Sequence, residues 1–268
     1  MLKLLSLGSG SCGNSYLLYT STDGLLIDAG ISCRRIRKAL SDYGLSIHYV
    51  RNIIITHDHA DHIQHVGMLS EKLNVPVFTT SAIHNGIDKN ICVKRKIPES
   101  NKKFLHKGEA MLVGEFEVTP FTVPHDSTDC VGYIIKCQDT NLVIMTDVGH
   151  VTDEMCDILH TAENLIIESN YDQEMLAQSR YPEYLRKRIY GDRGHLCNTE
   201  CAQTVASCYG TGLRNVWLCH LSEENNRPDI ALQTVEEVLL QHGIFIGEQF
   251  SVTALKRRMP TGIFTIKS

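Results

Sequence analysis

Thr56-His57-Asp58-His59-Ala60-Asp61-His62 follows directly on the apolar run Asn52-Ile53-Ile54-Ile55. Three consecutive β-branched isoleucines predict a strand buried on both faces, and the histidines begin where that strand stops. In open α/β architectures, ligands collect in the crevice past the carboxyl ends of the strands. Three imidazoles and two carboxylates within this short stretch exceed what one ion takes, since divalent zinc accepts about four ligands at roughly 2.0–2.2 Å for nitrogen and oxygen. The spacing predicts two ions, His57 and His59 on one, Asp61 and His62 on the other. A solvated polar turn with one helix-capping residue would explain a lone His or Asp. It does not explain H-x-H-x-D-H after a buried strand, because crowding titratable groups without neutralisation is costly.

The same arrangement recurs outward along the chain. His125 closes the strand-like stretch 115–123, Asp147 closes 141–145, and His220 closes Val216-Trp217-Leu218-Cys219. Each ligand-type residue stands at the carboxyl end of an apolar strand, which is the consistency a metal site requires. Leu165-Ile166-Ile167 ends in Glu168 in the same way. His195 precedes a helix predicted from Asn198 to about Tyr209, where free backbone N–H groups would suit a phosphate.

The remaining elements fit around this frame. Residues 2–7 form a strand running into Gly8-Ser9-Gly10-Ser11-Cys12-Gly13-Asn14. That loop lacks the ending of a P-loop, so it is a turn between strands with Asn14 near the site. Asp28 ends the next strand and, without a partner in sequence, is taken as structural. Helices are expected at 32–43, stopped by Gly44, at 66–73, and from Arg227-Pro228-Asp229 to Gly243. Val75 to Thr79 begins a strand, and the segments 110–113 and 131–137 continue the series. Residues 84–107 are polar, basic and aperiodic, and are predicted to be a mobile region near the substrate. Tyr181 to Ile189 is a basic amphipathic segment, and Phe250–Leu255 with Ile263–Ile266 are the last strands. With no linker, repeat or low-complexity segment, residues 1–268 are expected to form one domain.

Composition sets the outer limits. The 268 residues carry a net charge of −5, so no global field marks a nucleic-acid binder. Basic residues nevertheless cluster at 34–38, 94–96, 102–103, 186–188 and 256–258, leaving room for a local groove that meets phosphates. The ten cysteines include no C-x-x-C pair, and Cys130, Cys137 and Cys219 lie in apolar stretches where a thiol behaves as a small hydrophobe. Without signal-peptide features, a reducing cytoplasm is the expected location. No apolar run approaches the roughly 20 residues of a membrane span.

The pattern His57-x-His59-x-Asp61-His62, then His125, Asp147 and His220, resembles the successive metal motifs of the metallo-β-lactamase superfamily. The resemblance implies an αββα sandwich with a two-metal site at one edge. It implies that His57, His59 and His125 hold one metal, that Asp61, His62 and His220 hold the other, and that Asp147 bridges them. Ions about 3.5–4 Å apart can share a hydroxide formed near neutral pH. β-Lactamases proper have a cysteine where Asp147 stands, and β-CASP nucleases insert a long domain before the last histidine.

The segments Gly8–Asn14, Glu168-Ser169-Asn170-Tyr171-Asp172, Gly194-His195-Leu196 and His220-Leu221-Ser222 resemble the YycJ (WalJ) group, related to ribonuclease Z. That resemblance implies a 5′-to-3′ DNA exonuclease in which Glu168 and His195 assist protonation of the leaving group; with Asp61 they form the expected catalytic set. The cofactors would be two divalent ions, zinc or manganese, with iron also suited. The partner would be nucleic acid, DNA first, with no membrane. The alternatives are a small-molecule hydrolase, acting on cyclic phosphodiesters, thioesters or lactones, and a metal-binding sensor or scaffold without turnover.

Overall fold

The structure, a computed structural model, describes residues 1–266. An antiparallel meander of β1 (Leu2–Gly8), β2 (Ser15–Tyr19) and β3 (Gly24–Ile27) is followed by α1 (Cys33–Asp42) and β4 (Asn52–Ile54). Helices α2 (Ala60–Ile63) and α3 (Val66–Leu73) lead to β5 (Val77–Thr79), α4 (Ser81–Lys89) and β6 (Lys102–Phe104). Then come β7 (Met111–Val113), β8 (Phe116–Thr122), β9 (Val131–Cys137), β10 (Thr140–Met145), α5 (Asp153–His160) and β11 (Asn164–Glu168). Helices α6 (Gln173–Gln178), α7 (Glu183–Tyr190) and α8 (Asn198–Cys208) precede β12 (Asn215–Cys219), α9 (Pro228–Gln241), β13 (Ser251–Ala254) and β14 (Gly262–Ile266).

The strands make two seven-stranded sheets, ordered β14-β1-β2-β3-β4-β5-β6 and β13-β12-β11-β10-β9-β8-β7. The inner faces pack on one another, as where Trp217 of β12 meets Phe264 of β14 with ring centroids 5.2 Å apart. Helices α1, α3 and α4 bury their apolar stripes on the first sheet, and α5, α8 and α9 on the second. This is the αββα sandwich expected above. Strand β4 runs parallel to β3 and β5, covered on both faces, which explains its unbroken isoleucines. Strands β10, β11 and β12 are also mutually parallel. Their carboxyl ends, with those of β3, β4 and β8, meet at one edge of the sandwich.

Three expectations need correction. Residues 84–107 are not an unstructured segment beside the substrate. They contain the end of α4 and β6, which pairs with β5 in register Val77↔Lys102, and Val93, Ile97 and Leu105 anchor them in the core. Some of their basic groups are occupied there: Lys102 pairs with Asp88 and Glu99, and Arg95 with Glu71. Short loops rich in charge hid the anchoring apolar residues from any periodicity test. Helix α8 starts at Asn198 as expected, with Cys197 as its N-cap in a capping box with Glu200, but the phosphate site read beside it is not there. The N–H groups of His195, Leu196 and Asn198 are already taken, by the Ile189 carbonyl, Glu168 and the Tyr171 carbonyl, so they are not open to a phosphate. Finally, Cys156 of α5 and Cys208 of α8 form a disulfide where free thiols were expected, because the two helices pack with these Cα atoms 5.0 Å apart. The other eight cysteines are free.

Candidate metal centre

The strand ends converge. His57, His59 and His125 place ligand-type nitrogens within 4.8 Å of one another, and so do the donors of Asp61, His62 and His220. A third group, His57, His62 and Asp147, joins the two. A fourth contains Asp147, Glu168, His195 and His220. Every site residue expected from sequence therefore falls in one cluster. Asp58 alone turns away: its carboxylate accepts the Thr128 N–H and hydroxyl, and its carbonyl accepts the Asn90 amide, tying the loop down from behind.

Local backbone aims these side chains. Asp28, Asp147 and His220 all adopt left-handed conformations, with φ of 60°, 56° and 54°. For a non-glycine residue this costs on the order of 1–2 kcal/mol, and it persists only where the surroundings over-determine it. Here it bends the side chain out of the sheet at the point where the strand ends. The 59–62 turn is pressed onto the β3 end so closely that a Cβ on Gly30 would lie 1.6 Å from the Asp61 carbonyl oxygen.

Hydrogen bonds then settle which nitrogen of each ring faces inward. Thr56 donates its hydroxyl to Asp28 Oδ2 at 2.9 Å, so its oxygen accepts from His57 Nδ1 at 3.0 Å. His57 Nε2 is left buried without a partner among the described residues. His125 Nδ1 donates to the Gly194 carbonyl at 2.9 Å, which turns its Nε2 toward His59 Nδ1, 3.2 Å away. His62 Nδ1 donates to Asp28 Oδ2 at 2.7 Å, and its Nε2 lies 3.2 Å from Asp147 Oδ2. His220 Nδ1 donates to Glu168 Oε1 at 2.9 Å, and its Nε2 lies 3.3 Å from Asp61 Oδ2. Ring nitrogens of both triads and the carboxylates between them thus face a shared space.

The electrostatics agree with a cation-binding role. Burial, reinforced by the neighbouring His62, holds His57 well below the ordinary imidazole range, so it is a neutral donor. Burial would also lower His220, but Asp147, Asp61 and Glu168 outweigh it and push that group up to about 10. His62 is raised in the same way by Asp147, Asp28 and Asp61. Those carboxylates demand compensating positive charge in a buried place, and divalent cations on the same nitrogens would supply it while displacing the protons. The donor set of imidazoles and carboxylates fits such ions, and the orphaned His57 Nε2 has no other use.

Glu168 is shared more widely than sequence suggested. Its Oε1 accepts from both His195 Nδ1, at 2.7 Å, and His220 Nδ1, while Oε2 accepts the N–H groups of Val148 and Leu196. Burial would lower His195, yet Glu168 and Asp147 raise it above the ordinary range. Two residues left outside the expected catalytic and metal set also belong here. Asn14, whose Oδ1 is held by the Gly10 N–H, points its amide nitrogen at Asp61 Oδ2 and His62 Nε2. Asp28, read from sequence as structural, orients His62 and ties Thr56 to it. Its position at a strand end, like those of Asp147 and Glu168, was the available signal. Replacing Asp28 with alanine is expected to weaken metal affinity by roughly 10–100-fold, the usual consequence of removing a carboxylate behind a ligating histidine. It should also cost about 1–3 kcal/mol in stability from the unpaired His62 and Thr56 donors. Metal titration and denaturant unfolding read the two effects separately; unchanged affinity would count against an orienting role.

Comparison with known proteins agrees with this geometry. A family model described as "Beta-lactamase superfamily domain" matches residues 24–221. With its two-layered sandwich and cluster of imidazoles and carboxylates, the chain belongs to the metallo-β-lactamase superfamily and is a metal-dependent hydrolase. Within that class it is 35% identical over 259 residues to "Exodeoxyribonuclease YycJ" of Bacillus anthracis, covering 96% of each chain. It is 33% identical over 250 residues to "Exodeoxyribonuclease WalJ" of Streptococcus pneumoniae, covering 93% of each. The fold is shared with the metallo-β-lactamase fold protein YhfI of Bacillus subtilis, at 17% identity, a TM-score of 0.71 and 98% coverage of both chains.

Proposed function

We propose that this chain is a dinuclear metal-dependent phosphodiesterase that degrades DNA from its 5′ end. The observation that carries the reading is His195. Its Nδ1 is committed to Glu168, its other nitrogen is free of protein partners among the described residues, and it lines a cleft of about 360 Å³ with His59, Asp61, Asp147 and His220. A proton donor held by a buried carboxylate beside a cation site suits departure of an alkoxide-type leaving group better than simple metal storage. The exodeoxyribonuclease names of the two relatives support the choice of substrate.

In this reading His57, His59 and His125 would hold one ion and Asp61, His62 and His220 the other, with Asp147 shared between the two sets. The ions, when bound, supply Lewis acidity that lowers the pKa of water and offsets charge on the phosphoryl oxygens. The protein does the rest. Asp28, Glu168 and the Gly194 carbonyl fix the ring orientations of His62, His220 and His125. Asn14 steadies Asp61. His195 delivers its Nε2 proton to the departing oxygen, and Glu168 stabilises the charged ring beforehand. Arg188 on α7 lines the cleft, and Arg257 donates its guanidinium to the carbonyl of Ser222, another lining residue, with Arg258 and Arg35 beyond it. They offer a track for the backbone on either side of the scissile bond.

Residues 1–268 would serve as one catalytic unit. No described helix is long and apolar enough to cross a membrane, and the cytoplasm, where the DNA substrate resides, is the proposed location. The test uses duplex DNA with a 5′-phosphate, labelled at either end, alongside bis(p-nitrophenyl) phosphate and a thioester, with manganese or zinc. Nucleotides released from the 5′ end are expected. Release from the 3′ end alone, or hydrolysis of the thioester alone, would overturn the proposal.

A further inference from the structure

Helix α7 buries none of its residues, yet Leu185, Arg188 and Ile189 form one wall of the metal cleft. Behind the helix lies a larger cavity of about 590 Å³, lined among others by Tyr171, Leu176, Arg186 and Tyr190. The helix therefore has open space on both faces. Its polar ties are the Arg186 guanidinium to the Ala177 carbonyl at 2.8 Å, the Ile189 carbonyl to the His195 N–H, and one ion pair reaching across the cleft. In that pair Arg188 grips Asp126 with two donors, Nε on Oδ2 and Nη2 on Oδ1, the second at 3.1 Å. The Arg188 side chain is 54% exposed. Asp126 follows His125, and its Oδ1 stands 3.6 Å from His59 Nε2, the ring nitrogen opposite the one turned toward His125.

We propose that Arg188 is a substrate-binding residue: its guanidinium leaves Asp126 and takes a phosphate of the strand flanking the scissile bond, so that α7 closes on the substrate as a clamp. The inference rests on the phosphodiesterase reading above. A guanidinium fork fits a phosphate bidentately as well as it fits a carboxylate. A half-exposed ion pair contributes little to stability, so exchanging its acceptor is cheap. Asp126 is not stranded by the exchange, because the His59 Nε2–H stands ready to donate to it. That contact also links the clamp to the ring that faces the first ion position. Movement of α7 disturbs little of the core: none of its side chains is fully buried, Ile189 alone packs half-buried on the small cluster of Tyr171, Leu176 and Cys197, and the cavity behind the helix gives room. His195 and the ligand cluster occupy the centre of the cleft, which leaves the rim, where Arg188 sits, for a neighbouring phosphate.

The experiment compares wild type, Arg188→Ala and Arg188→Lys. Each is assayed on a 5′-phosphorylated duplex and on bis(p-nitrophenyl) phosphate, which has no flanking phosphate. Binding of a phosphorothioate-protected duplex is measured across a salt series, and metal content by elemental analysis. Arg188→Ala is expected to raise KM for the duplex about 10–100-fold, with most of the loss in KM and not kcat, and to reduce the slope of log affinity against log salt by about one. The loss on bis(p-nitrophenyl) phosphate should be at least about tenfold smaller, and metal content should be unchanged. Arg188→Lys should restore the salt slope but only part of KM, since a point charge replaces a fork. Equal losses on both substrates, or loss of metal, would make Arg188 a prop for the centre; an unchanged duplex KM and salt slope would remove its phosphate contact. If wild type cleaves neither phosphodiester, the underlying reading fails instead, and the salt slope still decides the role of Arg188.

Discussion

Replacing His195 with alanine is expected to lower turnover by roughly 10²–10⁴ while leaving the metal content at the wild-type level, the share usual for a general acid. The geometry makes this a sharp test, because His195 also belongs to a group of donors, with Asp147, Glu168 and His220, that can itself hold a cation. What separates the two roles is the direction of its ring. Nδ1 is turned to Glu168 at 2.7 Å, and Oε2 of that carboxylate is occupied by the Val148 and Leu196 N–H groups. Glu168 thus behaves as an acceptor for two imidazoles and not as a ligand. Elemental analysis beside single-turnover kinetics decides the matter. Activity lost together with an ion would make His195 a ligand. Glu168→Gln should be more damaging, since an amide cannot accept from His195, His220 and two backbone donors at once. Ring orientation and proton supply would fail together.

Asp147→Ala is expected to strip at least one ion and to reduce turnover by about 10³-fold or more, the equivalent of the several kcal/mol a catalytic cation contributes. Its Oδ2 lies 3.2 Å from His62 Nε2, and its Oδ1 lies 3.3 Å from His220 Nδ1 and 3.7 Å from His125 Nε2. Among the described residues no other carboxylate reaches toward histidines of both groups. Alanine at φ 56° adds backbone strain to the loss of charge, so Asp147→Asn is the better companion variant. Asparagine tolerates the left-handed conformation, and any metal loss it shows reports on the carboxylate alone. Full occupancy of two ions in both variants, by elemental analysis, would refute a bridging role.

Legibility varied along the chain for identifiable reasons. The isoleucines of β4, the strand before His125 and the run from Val216 to Cys219 are buried on both faces or alternate strictly, so their periodicity survived without tertiary context. Helix α9 announced itself through Pro228 and Gly243, and α1 through Gly44. Helices α5 and α6 did not. Each is short, with only Met155 and Leu159, or Leu176, fully buried, too few positions to declare a period. Segment 84–107 misled because its charges dominate its composition, although Ile87, Val93, Ile97 and Leu105 fix its path.

The ligand-type residues were legible in the sequence by itself because each cluster of them begins where an apolar strand stops, and that end must lie at a sheet edge. Tertiary structure decided what holds and aims them. Asp28 meets His62 across 34 positions, Asn14 meets Asp61 across 47, Glu168 meets His220 across 52 and Asp126 meets Arg188 across 62. None of these pairs shares an element, and their directions depend on left-handed turns at Asp28, Asp147 and His220 that local propensity disfavours. A chain can declare where a strand stops through its own side chains. The direction of the next residue is imposed by the neighbours packed around it, and those arrive only with the fold.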